Sequence, residues 1–180
     1  MKFKAQILDE TAFIRTVTRL AHQIIENTKT AEQLCLIGIK TRGAPLAERL
    51  AANIARIEGV HVPTGTLDIT LYRDDLSRTR AEAHVQGTDI AFSIEGKTVV
   101  LVDDVIFTGR TARAAMEAVI RLGRPARIQL LAMIDRGHRE LPIRPDYVGK
   151  NIPTSQKEVV AVCLPETDGK TGVDLYELEN

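Results

Sequence analysis

Hydrophobic residues recur along this chain with two spacings, one typical of helices and the other of buried strands. Over residues 10–27 the apolar side chains return every 3.6 residues and fall on one side, which predicts an amphipathic helix. A second helix is predicted from Pro45 to about Ile57, where Gly59 stops it. The same period over residues 111–122 predicts a third helix.

Short apolar stretches between and after these helices predict strands, and the unbroken ones, such as residues 34–39, predict strands that are buried on both faces. The predicted strands are residues 34–39, 62–72, 99–102, 128–134, 159–164 and 173–178. Because strands and helices alternate, the pattern predicts a single α/β domain over residues 1–180, with a mainly parallel twisted sheet flanked by helices. The last two strands flank a turn near Asp168 and Gly169.

Two polar stretches interrupt this alternation. Residues 73–91 are charged and poorly periodic, and a long stretch of this kind inside a compact domain is more often a functional lid than a plain connection. Arg78 and Arg80 would make this lid basic, although a solvated run of charges is the simpler alternative. Residues 135–157 are rich in charge, Gly and Pro, and are predicted to be irregular.

Composition narrows the class of protein. The chain has 180 residues, 44% of them apolar, which suffices for one core and is too short for two ordinary domains. The formal net charge is zero, so any anion site must be a local patch. Cys35 and Cys163 lie in apolar runs without a C-x-x-C pair, which favours buried reduced thiols over zinc. The first residues lack a signal core and no 18-residue apolar stretch follows, so we expect a cytoplasmic protein with no membrane partner.

The segment from 98 to 112, TVVLVDDVIFTGRTA, carries the most chemistry. A buried strand leads into Asp103 and Asp104, and a short loop with Gly109 then precedes a helix. Ligands of open α/β sheets bind at such junctions, and the first N–H groups of the helix suit a phosphate. The paired carboxylates would repel phosphate, so they would accept hydrogen bonds from hydroxyls or hold a divalent cation. Together these features predict a ribose 5-phosphate site, and the alternative is a two-Asp turn that caps a helix.

A second candidate follows the strand over residues 34–39. Lys40, Thr41, Arg42 and Gly43 place cations beside a glycine with free amides, which could cradle a diphosphate. Taken alone, this segment is more often an ordinary solvated turn between strand and helix. A third candidate is the polar loop that begins at Asp135, which could cover a base.

The stretch from 99 to 111 resembles the phosphoribosyl-diphosphate signature of type I phosphoribosyltransferases, in which an apolar strand and two acids precede a Thr-Gly-x-Thr loop. Neither a Walker A pattern nor G-x-G-x-x-G occurs in the chain, so other nucleotide-binding classes lack their usual support. The resemblance implies the type I phosphoribosyltransferase fold, with a small hood and C-terminal β-strands beside the main sheet.

Further segments narrow the resemblance: DITLYRDDL, VDDVIFTGRT, DRGHRELPIR and VGKNIPTS are similar to a family of bacterial pyrimidine-operon attenuation regulators that are also uracil phosphoribosyltransferases. The resemblance implies transfer of ribosyl phosphate from phosphoribosyl diphosphate to uracil, with release of diphosphate and with Mg²⁺ carried by phosphoribosyl diphosphate rather than bound directly by the protein. It also implies binding of UMP or UTP, UMP-dependent binding to pyr leader mRNA that promotes transcription termination, and a homodimer or higher homo-oligomer. The alternative is a purine-type phosphoribosyltransferase without an RNA role.

The resemblance also implies roles for individual residues. Thr41 and Arg42 would hold the diphosphate, and Asp103 and Asp104 the ribose hydroxyls, so that the expected catalytic residues are Asp103, Asp104 and Arg42. The residues expected to surround the 5′-phosphate and the base are Val105, Ile106, Phe107, Thr108, Gly109, Arg110, Thr111, Arg136 and Val160.

The RNA function has its own predicted residues. The resemblance implies RNA contacts at Thr18, His22, Arg139, Arg144 and Lys150. On the first helix, helical geometry places Arg15, Thr18, Arg19 and His22 within roughly a 100° arc, away from the apolar side. Without the resemblance, this helix face would be interpreted as an ordinary solvated surface.

Overall fold

A computed structural model describes residues 1–69 and 88–179 of the chain. The predicted lid over residues 73–91 therefore lies, up to residue 87, outside the described residues, and so do Arg78 and Arg80. The end of the strand predicted for residues 62–72 lies outside them as well.

The described elements follow in the order strand, helix, strand, helix through most of the chain. They are β1 (Lys2–Leu8), α1 (Glu10–Asn27), a 3₁₀ turn (Ala31–Gln33), β2 (Leu34–Ile39), α2 (Gly43–Glu58), β3 (Thr64–Leu67), β4 (Thr98–Ile106), α3 (Arg110–Leu122), β5 (Arg127–Asp135), β6 (Tyr147–Asn151), β7 (Glu158–Cys163), α4 (Pro165–Asp168) and β8 (Gly172–Glu177). The three long helices and the runs 34–39, 99–102 and 128–134 were all predicted, with small shifts at their ends.

A five-stranded parallel sheet forms the centre of the fold, in the order β3-β2-β4-β5-β6. This confirms the predicted α/β fold with a mainly parallel sheet. β4 lies between β2 and β5, so the carboxyl ends of these three strands open at one edge. The segments that follow them, at Lys40, Phe107 and Arg136, are thereby brought to the same side of the molecule.

A second, antiparallel sheet has the order β1-β8-β7. Its two C-terminal strands were predicted, whereas β1 was not. Most of β1 is exposed, and its register is set by pairing with β8 at the far end of the sequence, from Lys2 with Glu177 to Leu8 with Val173. A strand whose partner is this distant leaves only a weak local signal, because its stability comes from cross-strand contacts.

The core lies on both faces of the parallel sheet. On one face α1 and α2 pack with Leu36, Val100 and Met133, and on the other α3 packs with Ile37 and Leu101. Both cysteines are buried and unpaired, as predicted. Burial raises the pKa of the Cys35 thiol to about 11, because an ionised thiolate would be desolvated there.

The start of α2 lies directly against two strands. A Cβ atom added to Gly38 would lie 2.3 Å from the carbonyl oxygen of Gly43, and one added to Gly43 would lie 2.2 Å from the carbonyl oxygen of Val102. Only glycine permits this approach. As a result, the loop before α2 lies beside the end of β4.

Two boundaries differ from the prediction in ways that affect the site. β4 extends to Ile106, so Asp103 and Asp104 belong to the strand itself rather than to a loop after it. β6 was missed within the stretch predicted as irregular, because Lys150 and Asn151 make it polar. As an edge strand with one parallel neighbour, β6 tolerates polar residues that a central strand would not.

Candidate active site

The acidic pair lies at the end of the central strand β4. Asp103 is 7% exposed, and its Oδ1 accepts a hydrogen bond from the backbone N–H of Asp104 at 2.9 Å. Oδ1 of Asp104 accepts from the N–H of Val105 at 2.9 Å in the same way. These bonds fix both carboxylates at the sheet edge.

Burial raises the pKa of Asp103 well above its usual range, and the neighbouring carboxylate of Asp104 raises it further. Two carboxylates this close cannot both be ionised cheaply in a desolvated site. The pair is therefore suited to partners that relieve the repulsion, such as sugar hydroxyls or a cation.

The phosphate loop, residues 107–111, joins β4 to α3. Gly109 adopts a left-handed conformation (φ 92°) immediately before the first turn of α3. The hydroxyl of Thr108 accepts a hydrogen bond from the N–H of Arg110 at 3.3 Å. The remaining N–H groups of the first turn have no partners within the helix and lie at its positive end, which suits an anion.

The diphosphate loop, residues 40–42, lies between β2 and α2. Arg42 donates from Nη2 to Oδ1 of Asp168 at 2.7 Å and from Nε to Oδ2 at 3.3 Å, a two-bond contact along one side of the guanidinium. This contact strongly lowers the pKa of Asp168 and raises that of Arg42. Lys40 lies 3.6 Å from the carboxylate of Asp68. The two cations of this loop are thus each oriented by an acid.

Two adjoining cavities surround the acidic pair. One, of about 310 Å³, is lined by the phosphate loop together with Asp103, Val105, Ile106, Ala112 and Glu140. The other, of about 390 Å³, is lined by Lys40, Thr41, Asp68, Ile69, Asp103, Asp104, Val105 and Thr111. Asp103, Val105 and Thr111 belong to both, so a single ligand could extend from the phosphate loop, across the carboxylates, to the diphosphate loop.

A cluster around Arg136 occupies the far side of the phosphate loop. Its guanidinium lies 4.1 Å from the ring centroid of Phe107 and donates to Oγ1 of Thr154 at 3.2 Å and to the carbonyl of Ser155 at 3.1 Å. The ring of His138 meets Phe107 edge-on at 5.8 Å. Burial lowers the pKa of Arg136. Val160, also predicted at the base, lies buried in β7, five residues beyond Ser155.

The carboxylates at this end of the sheet suit a magnesium ion that is also bound by a ligand better than one that the protein holds alone. Asp68, Asp103 and Asp104 line one cavity, and hard oxygen ligands suit Mg²⁺. Within residues 1–69 and 88–179, however, no group of three or more His, Cys, Asp or Glu side chains is arranged to hold a metal ion. A cation there would need further oxygen ligands, such as those of a diphosphate.

The residues predicted to contact RNA lie on two neighbouring parts of the fold. Thr18 and His22 are on α1, which packs beside β6, where Lys150 is exposed. Thr18 is half-buried and donates to the carbonyl of Ile14 at 3.1 Å and to Oδ1 of Asn53 at 3.2 Å. Arg144 is exposed in the connection between β5 and β6.

Arg139 differs from the other four. Its side chain is 19% exposed and points back into the protein, where it donates to the carbonyls of Ile143 and Phe107, each at 2.8 Å, and to Oδ2 of Asp135 at 2.5 Å. The structure does not bring this guanidinium to the same open surface as Arg144.

Sequence reasoning missed two residues of this site. Asp168 was predicted only to lie in a turn, yet its carboxylate orients Arg42. Asp68 was predicted only to lie in a strand, yet its carboxylate lies near Lys40. Asp168 reaches Arg42 from 126 positions away, so only the fold brings the two together. The sole sequence signal was the turn at Asp168 and Gly169, which does not indicate where the carboxylate points.

An acidic pair that lines two adjoining cavities at the carboxyl end of a parallel sheet, beside the start of a helix, is an arrangement suited to a sugar phosphate. Comparison with known families agrees, since the phosphoribosyl transferase domain matches residues 4–167 of the chain. The chain therefore belongs to the phosphoribosyltransferase family.

Its relatives define the group more narrowly. Bifunctional protein PyrR of Thermoanaerobacter sp. (strain X514) is 61% identical over 98% of this chain and 99% of its own length. Bifunctional protein PyrR of Clostridioides difficile is 56% identical, with 97% and 98% covered, and that of Thermus thermophilus is 55% identical, with 99% of each covered. The resemblance found in the sequence is thus confirmed along nearly the whole chain.

Solved structures support the fold. A hypoxanthine phosphoribosyltransferase from Staphylococcus aureus superimposes with a TM-score of 0.72 at 20% identity, covering 99% of this chain and 94% of that one. The hypoxanthine phosphoribosyltransferase of Trypanosoma cruzi gives a TM-score of 0.74 at 19% identity, with 98% of each chain covered. At these identities the likeness confirms the type I phosphoribosyltransferase fold alone.

In the described part of the chain, no helix has both the length and the apolar character needed to cross a membrane.

Proposed function

We propose that this protein is a uracil phosphoribosyltransferase that also regulates pyrimidine-operon transcription by UMP-dependent binding to pyr leader mRNA. One observation carries the enzymatic half: an acidic pair, with Asp103 buried and Asp104 half-buried, lines two adjoining cavities, in a chain 55–61% identical to proteins named bifunctional protein PyrR. The relatives support this function rather than the purine-type alternative, because the likeness to hypoxanthine enzymes is only about 20% in identity.

Each part of the site would hold one part of phosphoribosyl diphosphate. The phosphate loop would bind the 5′-phosphate through the first N–H groups of α3, and Asp103 and Asp104 would accept hydrogen bonds from the ribose hydroxyls. Thr41 and Arg42 would bind the diphosphate. In this arrangement the sugar would be held at both ends.

In the reaction, a ring nitrogen of uracil forms a bond to the ribose carbon as the bond from that carbon to diphosphate breaks, and the proton of that nitrogen passes to the departing diphosphate or to water. Charge develops on the departing diphosphate, which the guanidinium of Arg42 would stabilise from a fixed position. Mg²⁺ bound to the diphosphate would neutralise further charge. Arg136 and the backbone near Val160 would lie at the base.

The test of the enzyme is a turnover assay with uracil, hypoxanthine and guanine, each with phosphoribosyl diphosphate and Mg²⁺. We expect product from uracil and none from either purine, and loss of turnover in excess EDTA. Turnover of a purine in place of uracil would support the alternative. Full activity in EDTA would contradict the role of magnesium.

The regulatory half is supported by the position of α1 beside β6 and by the family relationship. Exposed His22 and Lys150 on these neighbouring elements, with Arg144 in the adjoining connection, would contact phosphates and unpaired bases of an RNA loop. Cationic contacts of this kind release counterions, so binding must weaken with salt.

The test of regulation is binding to a pyr leader transcript at several salt concentrations, with and without UMP. We expect UMP to tighten binding and Arg144→Ala to weaken it, with a salt slope flatter by about one contact. RNA affinity should fall far more than uracil turnover. Absence of any UMP-dependent, salt-sensitive binding would remove the regulatory function and leave the enzyme.

A further inference from the structure

Arg139 holds two loops together from the inside. Its guanidinium donates to the carbonyl of Phe107 in the phosphate loop, to the carbonyl of Ile143, and to the carboxylate of Asp135 at the end of β5. These acceptors lie in different directions around one planar group. Arginine can serve all three because its five N–H donors form a rigid fork, which lysine lacks.

The segment from 136 to 143, here called the arm, makes further contacts with the phosphate loop. The backbone N–H groups of Glu140 and Leu141 donate to the carbonyl of Thr108 at 2.9 and 3.2 Å. The carboxylate of Glu140 accepts from Nε of Arg110 at 2.8 Å. The arm therefore contacts the loop through side chains and backbone alike.

The arm also leads directly to the proposed RNA surface. Arg144 follows the arm by one residue, and β6 with Lys150 begins three residues later. Within the described ranges, Arg144 is exposed and makes no ion pair or side-chain hydrogen bond. Arg139 and Arg144 are five positions apart, yet the side chain of Arg139 contacts the phosphate loop and Arg144 is exposed to solvent.

We propose that Arg139 does not contact RNA but couples occupancy of the phosphate loop to the RNA surface. A nucleotide 5′-phosphate bound by the N–H groups of the loop orders Phe107 and Thr108, whose carbonyls hold Arg139 and the arm. The arm in turn sets the position of Arg144. This inference rests on the proposed function. UMP can change RNA binding only if it binds more tightly to the arrangement of the protein that also binds RNA, and we assign the link between the two sites to Arg139.

The decisive variant is Arg139→Lys, compared with wild type for leader RNA binding with and without UMP at several salt concentrations. The measured quantity is the enhancement factor, the ratio of the Kd without UMP to the Kd with UMP. We expect Arg139→Lys and Arg139→Ala to lower this factor by about three- to tenfold, as loss of about one charge-assisted hydrogen bond would, with the salt slope unchanged.

Two matched variants separate this role from a direct contact. Arg121→Ala removes an arginine from an ion pair with Glu117 on α3, and it should leave both RNA binding and the factor unchanged. Asp135→Asn leaves Arg139 in place but weakens its carboxylate contact, so it should also lower the factor, even if Arg139→Ala fails to fold.

The opposite results are equally clear. If Arg139→Lys binds RNA with the wild-type enhancement factor, or if Arg139→Ala keeps the factor and flattens the salt slope by about one contact, Arg139 touches RNA and the inference is wrong. A full enhancement factor in Asp135→Asn would contradict it as well. If wild type shows no enhancement by UMP, the proposed regulatory function fails instead, and uracil turnover then shows whether the enzyme stands.

Discussion

The two loops on either side of the acidic pair are held in place by different parts of the fold. The phosphate loop is bonded to the arm of its own sheet through Arg139, Glu140 and Leu141. The diphosphate loop is tied by Arg42 to Asp168, in the connection between β7 and β8 of the second sheet. The phosphate loop is attached to one nearby segment through backbone and side chains, while the diphosphate loop contacts Leu67 and Asp68 near β3 and also a carboxylate supplied from the far end of the chain, Asp168.

This difference separates two tasks. A loop with several backbone attachments keeps its shape when one side chain is lost, and this suits a site that binds the same 5′-phosphate in substrate and product. Asp168 contacts only one side of the Arg42 guanidinium, through Nε and Nη2, and leaves the donors of Nη1 for an anion. In the proposed function, the second sheet would thus orient a cation towards the leaving group.

The largest effect is expected at the residue between the two loops. Asp104→Asn keeps the shape of the side chain but removes the charge that would accept hydrogen bonds from the ribose. We expect kcat/KM for phosphoribosyl diphosphate to fall about 10- to 100-fold, corresponding to charged hydrogen bonds of about 1.5–3 kcal/mol. Steady-state kinetics measures this, and circular dichroism provides the control for folding. Wild-type kinetics would show that the acidic pair is structural.

A smaller effect is expected when the diphosphate loop loses its anchor. Asp168→Asn removes the carboxylate that orients Arg42, so we expect KM for phosphoribosyl diphosphate to rise about three- to tenfold, the range for one partly exposed charged contact. KM for uracil should change little. The low pKa of Asp168 keeps it ionised at ordinary assay pH, so the ratio between variant and wild type should be flat from neutral to mildly acidic pH.

The matched control for this variant is Glu166→Gln. Glu166 lies on the same short helix and pairs with Arg49 of α2 at 2.6 Å, but it does not touch the diphosphate loop. We expect its KM values to match those of wild type. Equal changes in both variants would mean that the two ion pairs act only by attaching α4 to α2.

The smallest effect concerns stability rather than activity. The raised pKa of Asp103 means that the folded protein disfavours its ionised form. The folded state is therefore favoured at low pH, where Asp103 is protonated, and this advantage is lost as pH rises from the ordinary value of 3.8 through the raised value. Above that window, Asp103→Asn should stabilise the ligand-free protein by about 1–3 kcal/mol, the usual range for the desolvation penalty of a buried polar group.

Thermal unfolding at several pH values checks this sign. The difference in Tm between Asp103→Asn and wild type should be positive near pH 8, with about 2–4 °C for each kcal/mol, and should shrink towards zero near pH 4. A difference that stays constant with pH would mean that packing rather than charge distinguishes the two proteins. The same variant should lose turnover, because the carboxylate that it removes belongs to a residue that lines both cavities.

The parallel sheet could be predicted from the sequence because its strands are apolar on both faces and its helices have a clear period. Leu34–Ile39 is buried at every position, and α1 begins and ends where the pattern predicted. β1 and β6 could not be predicted, since each is a polar edge strand whose identity depends on a neighbour. Periodicity reports burial, and such strands bury little.

The candidate site likewise contains residues that the sequence could predict and residues that it could not. Asp103, Asp104 and the phosphate loop are contiguous, so one segment contained their chemistry. Asp168 and the inward orientation of Arg139 depend on distant or three-dimensional partners, which composition does not reveal. The RNA residues, the lid and the oligomeric state stay predictions.

Gly38 and Gly43 allow a close backbone approach beside the candidate site. With no side chain at either position, α2 lies against β2 and β4, and this sets the separation between the diphosphate loop and the acidic pair. In a library of random substitutions, we therefore expect both glycines to tolerate substitution as poorly as Asp103 and Asp104, although neither glycine would touch the substrate. Ranking positions by tolerance alone would confuse the spacing of the active site with its reactive groups.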